Sequence, residues 1–140
     1  MAIAPHVLLA EDDPDIRDLI ELKLTGIGLS VEVAADGPAA LEAAERRTPD
    51  LVLLDVRMPR VDGFEVCRRL RKTPGFETTP IVLITGLAAD YHAATGLRAG
   101  ATEYLLKPFS PRQLAQRVVE VIHRHYPSLE LPPAAAAFIA

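Results

Sequence analysis

Glu11, Asp12 and Asp13 stand side by side in "VLLAEDDPDI" (residues 7–16), directly after four apolar residues. Carboxylates at that spacing repel one another, and an apolar strand leading into them offers little screening. Something positive must offset them. Further along, Asp55 closes the run "LVLLD", Thr85 closes "PIVLIT" and Lys107 follows "EYLL". A hard divalent cation resolves the repulsion. Mg²⁺ takes oxygen ligands, uses one or two carboxylates, keeps several waters and accepts phosphate oxygens. Asp12 and Asp55 suit direct ligation, with Glu11 bound through water. Asp13 precedes Pro14 and fits an N-cap before a first-turn proline, while Asp15 favours the positive end of the helix dipole. A carboxylate beside such a cation can also attack phosphorus and form an acyl phosphate. Phosphoryl transfer asks for little beyond positioning and neutralisation of the equatorial oxygens. Asp55 would attack, and Mg²⁺, Lys107 and the Thr85 hydroxyl would each serve one oxygen. Singly these are ordinary loop residues; their joint placement carries the reading.

For these side chains to meet, each must end an element of one sheet. Five short apolar runs read as strands: "HVLLA" (6–10), "SVEVAA" (30–35), "LVLLD" (51–55), "PIVLIT" (80–85) and "EYLLKP" (103–108). Several are continuous rather than alternating, as strands covered on both faces are. Helical patterns lie between them. Ile16, Leu19, Ile20, Lys23, Leu24 and Ile27 follow i, i+3, i+4 spacing up to Gly26 or Gly28. "PAALEAAERR" has Pro38 in its first turn, and "FEVCRRLRK" puts Phe64, Cys67 and Leu70 on one face. "DYHAATGLRAG" is weaker, interrupted by Gly96 and stopped by Gly100. "PRQLAQRVVEVIHRHY" carries Leu114, Val118, Val121, Ile122 and His125 in register. Strict alternation predicts an α/β doubly wound parallel sheet of five strands with helices on both faces. Ligands of such sheets bind beyond the carboxyl ends of the strands, where Glu11, Asp12, Asp55, Thr85 and Lys107 all fall.

The chain has 140 residues, the size of one domain, and 49% of them are apolar. Its formal net charge of -4 neither demands nor forbids a polyanion partner. A lone Cys67 excludes an internal disulfide and fits a reducing, cytoplasmic setting. No apolar run is long enough for a membrane span, and "MAIAPH" lacks the regions of a signal peptide. The loop after the first strand has no glycine-rich phosphate cradle, which disfavours a nucleotide cofactor. "CRRLRK" invites a nucleic-acid reading, but Arg68, Arg69, Arg71 and Lys72 fit the solvated side of an amphipathic helix, and no groove-reading element accompanies them. His123 and His125 face different directions on a helix, so they do not form a joint metal site. His6 and His92 show no partners, and Cys67 reads as a core residue. Residues 1–126 form the domain; 127–140, "PSLELPPAAAAFIA" with its leading proline, read as a Pro/Ala-rich tail. A linker into a further effector domain and a local end that packs on itself both fit that tail.

"LLAEDD", "LVLLDVRMPRVDG", "IVLITG" and "EYLLKPF", in this order and spacing, resemble the receiver domain of two-component response regulators over residues 6 to about 126. The resemblance implies a flavodoxin-like sheet in the order 2-1-3-4-5 with five helices. It implies Asp55 as phosphoacceptor, Asp12 as a Mg²⁺ ligand, Glu11 as the second acid and the Arg57 backbone carbonyl as a further ligand. Thr85 and Lys107 are implied to sense the phosphoryl group, Tyr104 to be the aromatic switch, and Arg57 and Leu87 to modulate dephosphorylation. A cis Lys107–Pro108 bond follows too, and X–Pro bonds are where cis is tolerated. "MPRVDG" is the turn after the acceptor strand, with Gly63 expected at a positive φ. Gly86 should leave the site open to a phosphodonor, by resemblance a histidine kinase or phosphotransfer protein. The implied output is a change in the face made by helix four, strand five and helix five. Arg98, Glu103, Arg112 and Arg117, with Gln113 among them, are an incomplete version of the charge pairing that dimerising members carry there. A homodimer stays open, and direct nucleic-acid or membrane binding by this domain is not expected.

Two rival functions remain. Phosphohydrolases of other α/β families also use an Asp nucleophile and Mg²⁺, but they want a second Asp two positions on, where this chain has Arg57. A receiver-like module that binds partners without phosphorylation would have no use for the intact acidic, threonine and lysine set.

Overall fold

In the computed structural model, residues 4–86 and 89–140 are described, without the side chains of 89–93. Leu87 and the side chain of His92 lie outside the described residues, as does the start of "MAIAPH". The elements are β1 (His6–Ala10), α1 (Pro14–Gly26), β2 (Ser30–Ala34), α2 (Gly37–Arg46), β3 (Leu51–Asp55) and α3 (Gly63–Arg71). They continue with β4 (Ile81–Thr85), α4 (Ala89–Ala99), β5 (Glu103–Leu106), α5 (Pro111–His125) and α6 (Pro133–Ala136). All strand pairs are parallel, in the order β2-β1-β3-β4-β5. That is the predicted sheet, with one helix more than expected.

The continuous apolar runs have a simple cause. Side chains alternate across a strand, so a strand covered on both faces needs apolar residues at every position. Leu8, Ala10, Val52, Leu54, Ile81 and Leu83 enter one core with α2 and α3. Val7, Leu9, Leu51, Leu53, Val82 and Ile84 enter the other, with α1 and α5. Helix ends follow their local chemistry. The Asp13, Asp36, Asp62 and Ser110 side chains each accept backbone N–H bonds at the start of a helix, and Ser110 with Gln113 forms a capping box. Gly28 (φ 96°) follows the end of α1, and Gly100 (φ 101°) follows α4.

Several readings need correction. Gly96 does not interrupt α4; a Cβ there would come within 2.8 Å of Leu83 Cδ1, so its lack of a side chain lets the helix sit close on β4. Gly63 is not at a positive φ. It opens α3, and a Cβ there would meet the Asp55 carbonyl oxygen at 2.4 Å, so close backbone approach demands glycine. The left-handed residue of that turn is Arg60 (φ 69°). Leu19 is 50% exposed and His125 is exposed, so neither belongs to the buried face of its helix.

The tail packs locally. Ala135 is fully buried in the α1–α5 core, with Leu129, Leu131, Phe138 and Ile139 against it. Gln116 donates to the Phe138 carbonyl at 2.9 Å, and the Tyr126 hydroxyl to the Asp50 carbonyl at 2.9 Å. A Pro/Ala composition without amphipathic periodicity fits a linker and a local end alike; here these five apolar side chains add to the core that α1 and α5 form. Ala135→Asp should therefore lower stability by about 2 kcal/mol, since it buries a carboxylate without a partner. Thermal denaturation at neutral pH is the check, with an equal substitution at exposed Ala134 as the neutral control.

Candidate functional site

The site lies where β1, β3, β4 and β5 end. Parallel pairing puts Ala10 beside Leu54, Asp55 beside Ile84 and Thr85 beside Leu106, so the residues that follow these positions converge at one edge. Glu11 is held there by its backbone: its N–H donates to the Ala34 carbonyl at 3.1 Å, and Arg17 donates to its carbonyl at 3.1 Å. Its side chain is fully buried, Asp55 is 4% exposed and Thr85 2% exposed, while Asp12 is exposed at the rim. Ligand oxygens of Glu11, Asp12 and Asp55 all lie within 4.8 Å of one another. Among the described residues this is the one group of acidic, His or Cys side chains placed to hold a metal ion.

Lys107 reaches in from the end of β5. Its Nζ stands 3.3 Å from Glu11 Oε1 and 3.3 Å from Asp55 Oδ1. Burial would lower its pKa, but the two carboxylates outweigh burial and raise it, so the ammonium stays charged. One cation cannot satisfy both acids. Glu11 is pushed up to about 8, first by burial and then by the hydrogen bond and negative charge of Asp55, with Lys107 opposing. Its second oxygen, Oε2, is buried without a hydrogen-bond partner. A buried orphan oxygen beside two further carboxylates is a donor set suited to a hard cation.

The surrounding turn is equally specified. Gly63 donates to the Val56 carbonyl at 2.9 Å and lets α3 start against the end of β3. Arg57 is exposed in the loop two residues past Asp55. Gly86 is exposed beside the stem of Lys107, where a Cβ would make only ordinary contact with Lys107 Cβ at 3.5 Å. The Lys107–Pro108 bond is cis. Tyr104 is 37% exposed on the outer face of β5, in a surface groove with Leu97, Leu106, Arg112 and Gln113. Glu103, one residue earlier on β5 and so on its other face, is engaged from α5 by Arg117 at 2.9 Å and by Arg124.

Other candidates settle differently. Asp13 Oδ1 accepts from Asp15 and Ile16 amides at 2.9 and 3.3 Å, so it caps α1. Arg68 and Arg69 both pair with Glu65, consistent with a solvated face. Cys67 is fully buried, donates to the Ala99 carbonyl at 3.4 Å and has its pKa pushed up to about 11 by burial, which keeps it an inert thiol. His6 is not without partners: Nδ1 is 2.9 Å from Ser30 Oγ. Arg71 is the residue that sequence reasoning misplaced. Its guanidinium turns inward to backbone carbonyls instead of joining its neighbours in solvent. Its place at the end of α3, where the next loops arrive, is invisible to helical periodicity.

Comparison with known proteins agrees with this geometry. Residues 7–119 match the response regulator receiver domain family. Transcriptional regulatory protein AfsQ1 of Streptomyces coelicolor is 43% identical over 120 residues, covering 86% of this chain and 52% of that protein. A probable transcriptional regulator, ycf27 of Cyanidium caldarium, is 39% identical over 85% of this chain and 47% of its own length. The chain thus spans about half the length of these curated relatives. Among solved structures, chemotaxis protein CheY4 of Vibrio cholerae superposes with a TM-score of 0.82 at 34% identity, covering 85% of this chain and 99% of that one. The receiver domain of a Pseudomonas aeruginosa sensor histidine kinase, described with a magnesium ion in its active-site cleft, gives 0.78 at 34% identity, covering 90% of this chain and 100% of that one. The two solved structures share the fold of this chain, and the match over residues 7–119 shows that it belongs to the response-regulator receiver domain family, a family of signalling domains.

Proposed function

We propose that Asp55 accepts a phosphoryl group from a histidine kinase or a phosphotransfer protein in a Mg²⁺-dependent reaction, and that the α4–β5–α5 face answers the change. The observation that carries this is Lys107 Nζ, 3.3 Å from both the Glu11 and Asp55 carboxylates while Glu11 Oε2 remains buried and unpartnered. The arrangement is short of one positive charge. Asp12, Asp55 and the Arg57 backbone carbonyl would hold Mg²⁺, with Glu11 through water; when bound, the ion supplies neutralisation of phosphoryl oxygen charge.

Asp55 contributes the nucleophile. An Oδ–P bond forms as the donor's P–N bond breaks, and the imidazole leaves with the electron pair. Lys107 exchanges part of its contact with Asp55 for a phosphoryl oxygen, and as a point charge on a long stem it can do so without moving the backbone. The Thr85 hydroxyl, at the end of β4, donates to another oxygen. Tyr104 starts partly exposed on the neighbouring strand, so inward movement of Thr85 would leave it room to follow. Two states of one face, biased by new charge-assisted bonds, make the output.

Arg57 stands where a hydrolytic acid would be needed, which disfavours the phosphohydrolase reading; slow self-dephosphorylation is the most turnover expected. No helix among the described residues is long and apolar enough to cross a membrane. A histidine kinase or phosphotransfer donor would meet the domain in the cytoplasm, where it would act through an effector domain, a partner protein or a second copy, without direct contact to nucleic acid. Thr85→Ala provides the test of the switch. It should be phosphorylated on Asp55 at a rate within about threefold of the parent, since one neutral donor contributes modestly. Its Tyr104 ring should no longer change environment on phosphorylation, as read by NMR of a labelled tyrosine. An unaltered tyrosine response in that variant would overturn the role given to Thr85.

A further inference from the structure

α4 begins at Ala89, four residues after Thr85, and ends at the opposite edge of the sheet, where β4 and β5 begin and its last carbonyls need partners. Two α3 side chains one turn apart supply them. Cys67 Sγ donates to the Ala99 carbonyl at 3.4 Å, and Arg71 Nε donates to the Gly100 carbonyl at 2.8 Å. The same guanidinium reaches further: Nη1 donates to the Phe76 and Thr79 carbonyls, each at 2.7 Å, fixing the loop that enters β4. Nη2 lies 3.5 Å from Thr102 Oγ1, which also accepts from the Ile81 amide at 3.0 Å, and the Thr102 amide donates to the Ile81 carbonyl at 2.8 Å. Gly100 must stay close for this to work. Its φ is 101°, and a Cβ would come within 2.8 Å of Arg71 Cγ.

One planar donor set thus ties together the end of α3, the entry to β4, the end of α4 and the turn into β5. All these points lie far from the phosphorylation edge along the same elements. We propose that Arg71 is a positioning residue: it clamps the distal ends of β4, α4 and β5 as a fixed pivot, so that a displacement beginning at Thr85 is expressed as reorientation about that pivot and not as loosening of the whole segment. Only guanidinium offers rigidly spaced donors to three carbonyls at once; a lysine in its place would reach one or two. This rests on the reading of Asp55 as phosphoacceptor for its second half, while the clamp itself does not.

The test is hydrogen exchange of the full chain, with and without acetyl phosphate and Mg²⁺, for the parent, Arg71→Met and Arg71→Lys, with phosphorylation followed separately by intact mass. In unphosphorylated protein, Arg71→Met should speed exchange at Gly100–Thr102 at least about tenfold, with Arg71→Lys intermediate and β1 and β3 unaltered. Phosphorylation should change exchange up to, but not beyond, Gly100 in the parent, and should spread past Thr102 in Arg71→Met, at a phosphorylation rate within about twofold of the parent. A parent-like pattern in both variants, or exchange raised equally in β1 and β3, would overturn the pivot. If the parent takes up no phosphoryl group, the acceptor reading fails, and the unphosphorylated comparison still decides the clamp.

Discussion

Lys107→Ala should slow phosphorylation of Asp55 from a small-molecule donor by about a hundredfold, the usual effect of removing one preorganised charge from a site where negative charge is redistributed. The loss has two sources. The ammonium is 3.3 Å from Asp55 Oδ1 in the unmodified protein and so is already in place for the incoming oxygens. It is also the side-chain cation that offsets Glu11, and without it two nearly buried carboxylates face each other. Without the opposing lysine the fold would hold the Glu11 proton to still higher pH and would lose about 1–3 kcal/mol of stability where that acid is ionised, less than for a fully buried pair because the lysine is partly exposed. Lys107→Arg keeps the charge in a wider, planar head, and should recover stability more fully than rate. Rates by intact mass and melting by circular dichroism separate the two. Equal rates for Lys107→Ala and the parent would contradict the role assigned to this residue.

Without a divalent cation, stability should fall as pH rises from about 4.5 to about 8. The Glu11 carboxyl is pushed up to about 8 in the fold from an ordinary value of 4.5, first by burial and then by Asp55. Between those values the folded state binds more protons than the unfolded one, so raising the pH favours unfolding. Below 4.5 both states carry the proton, and above 8 neither does, so this contribution flattens at each end. Added Mg²⁺ should reverse much of the loss, because a cation favours the ionised acid. Glu11→Gln removes the titrating group: its melting temperature should be higher than the parent's near neutral pH without Mg²⁺, by about 2 kcal/mol in stability, and should gain little from Mg²⁺. Melting curves across that pH range, with chelator and with Mg²⁺, check both statements. A flat profile in chelator would show that Glu11 keeps an ordinary pKa.

Much of this is legible in the amino-acid sequence. Strands covered on both faces betray themselves as unbroken apolar runs, and the acids, hydroxyl and ammonium at their ends sit where parallel sheets gather ligands. Periodicity was less informative wherever tertiary contact decides. Leu19 satisfies the helical pattern of α1 yet is half exposed, and Gly96 reads as a breaker yet serves close packing on Leu83. Gly63 has the sequence setting of a conformational glycine, whereas the Asp55 carbonyl against it sets the requirement. The tail carried no periodic signal, since its burial depends on a groove made by α1 and α5. Arg71 looked like its solvated neighbours because nothing in "CRRLRK" reveals which arginine faces three carbonyls. The buried state of Glu11 was equally hidden: composition shows a charge, and only the fold shows that one of its oxygens lacks a partner.

The most direct measurement is intact mass after incubation with acetyl phosphate, with Mg²⁺ or with chelator, for the parent chain and Asp55→Asn. The account predicts gain of one phosphoryl group by the parent in Mg²⁺, little or none in chelator, and none in Asp55→Asn. An adduct of equal size and rate in Asp55→Asn, or no adduct in folded parent protein with an active donor, would contradict it.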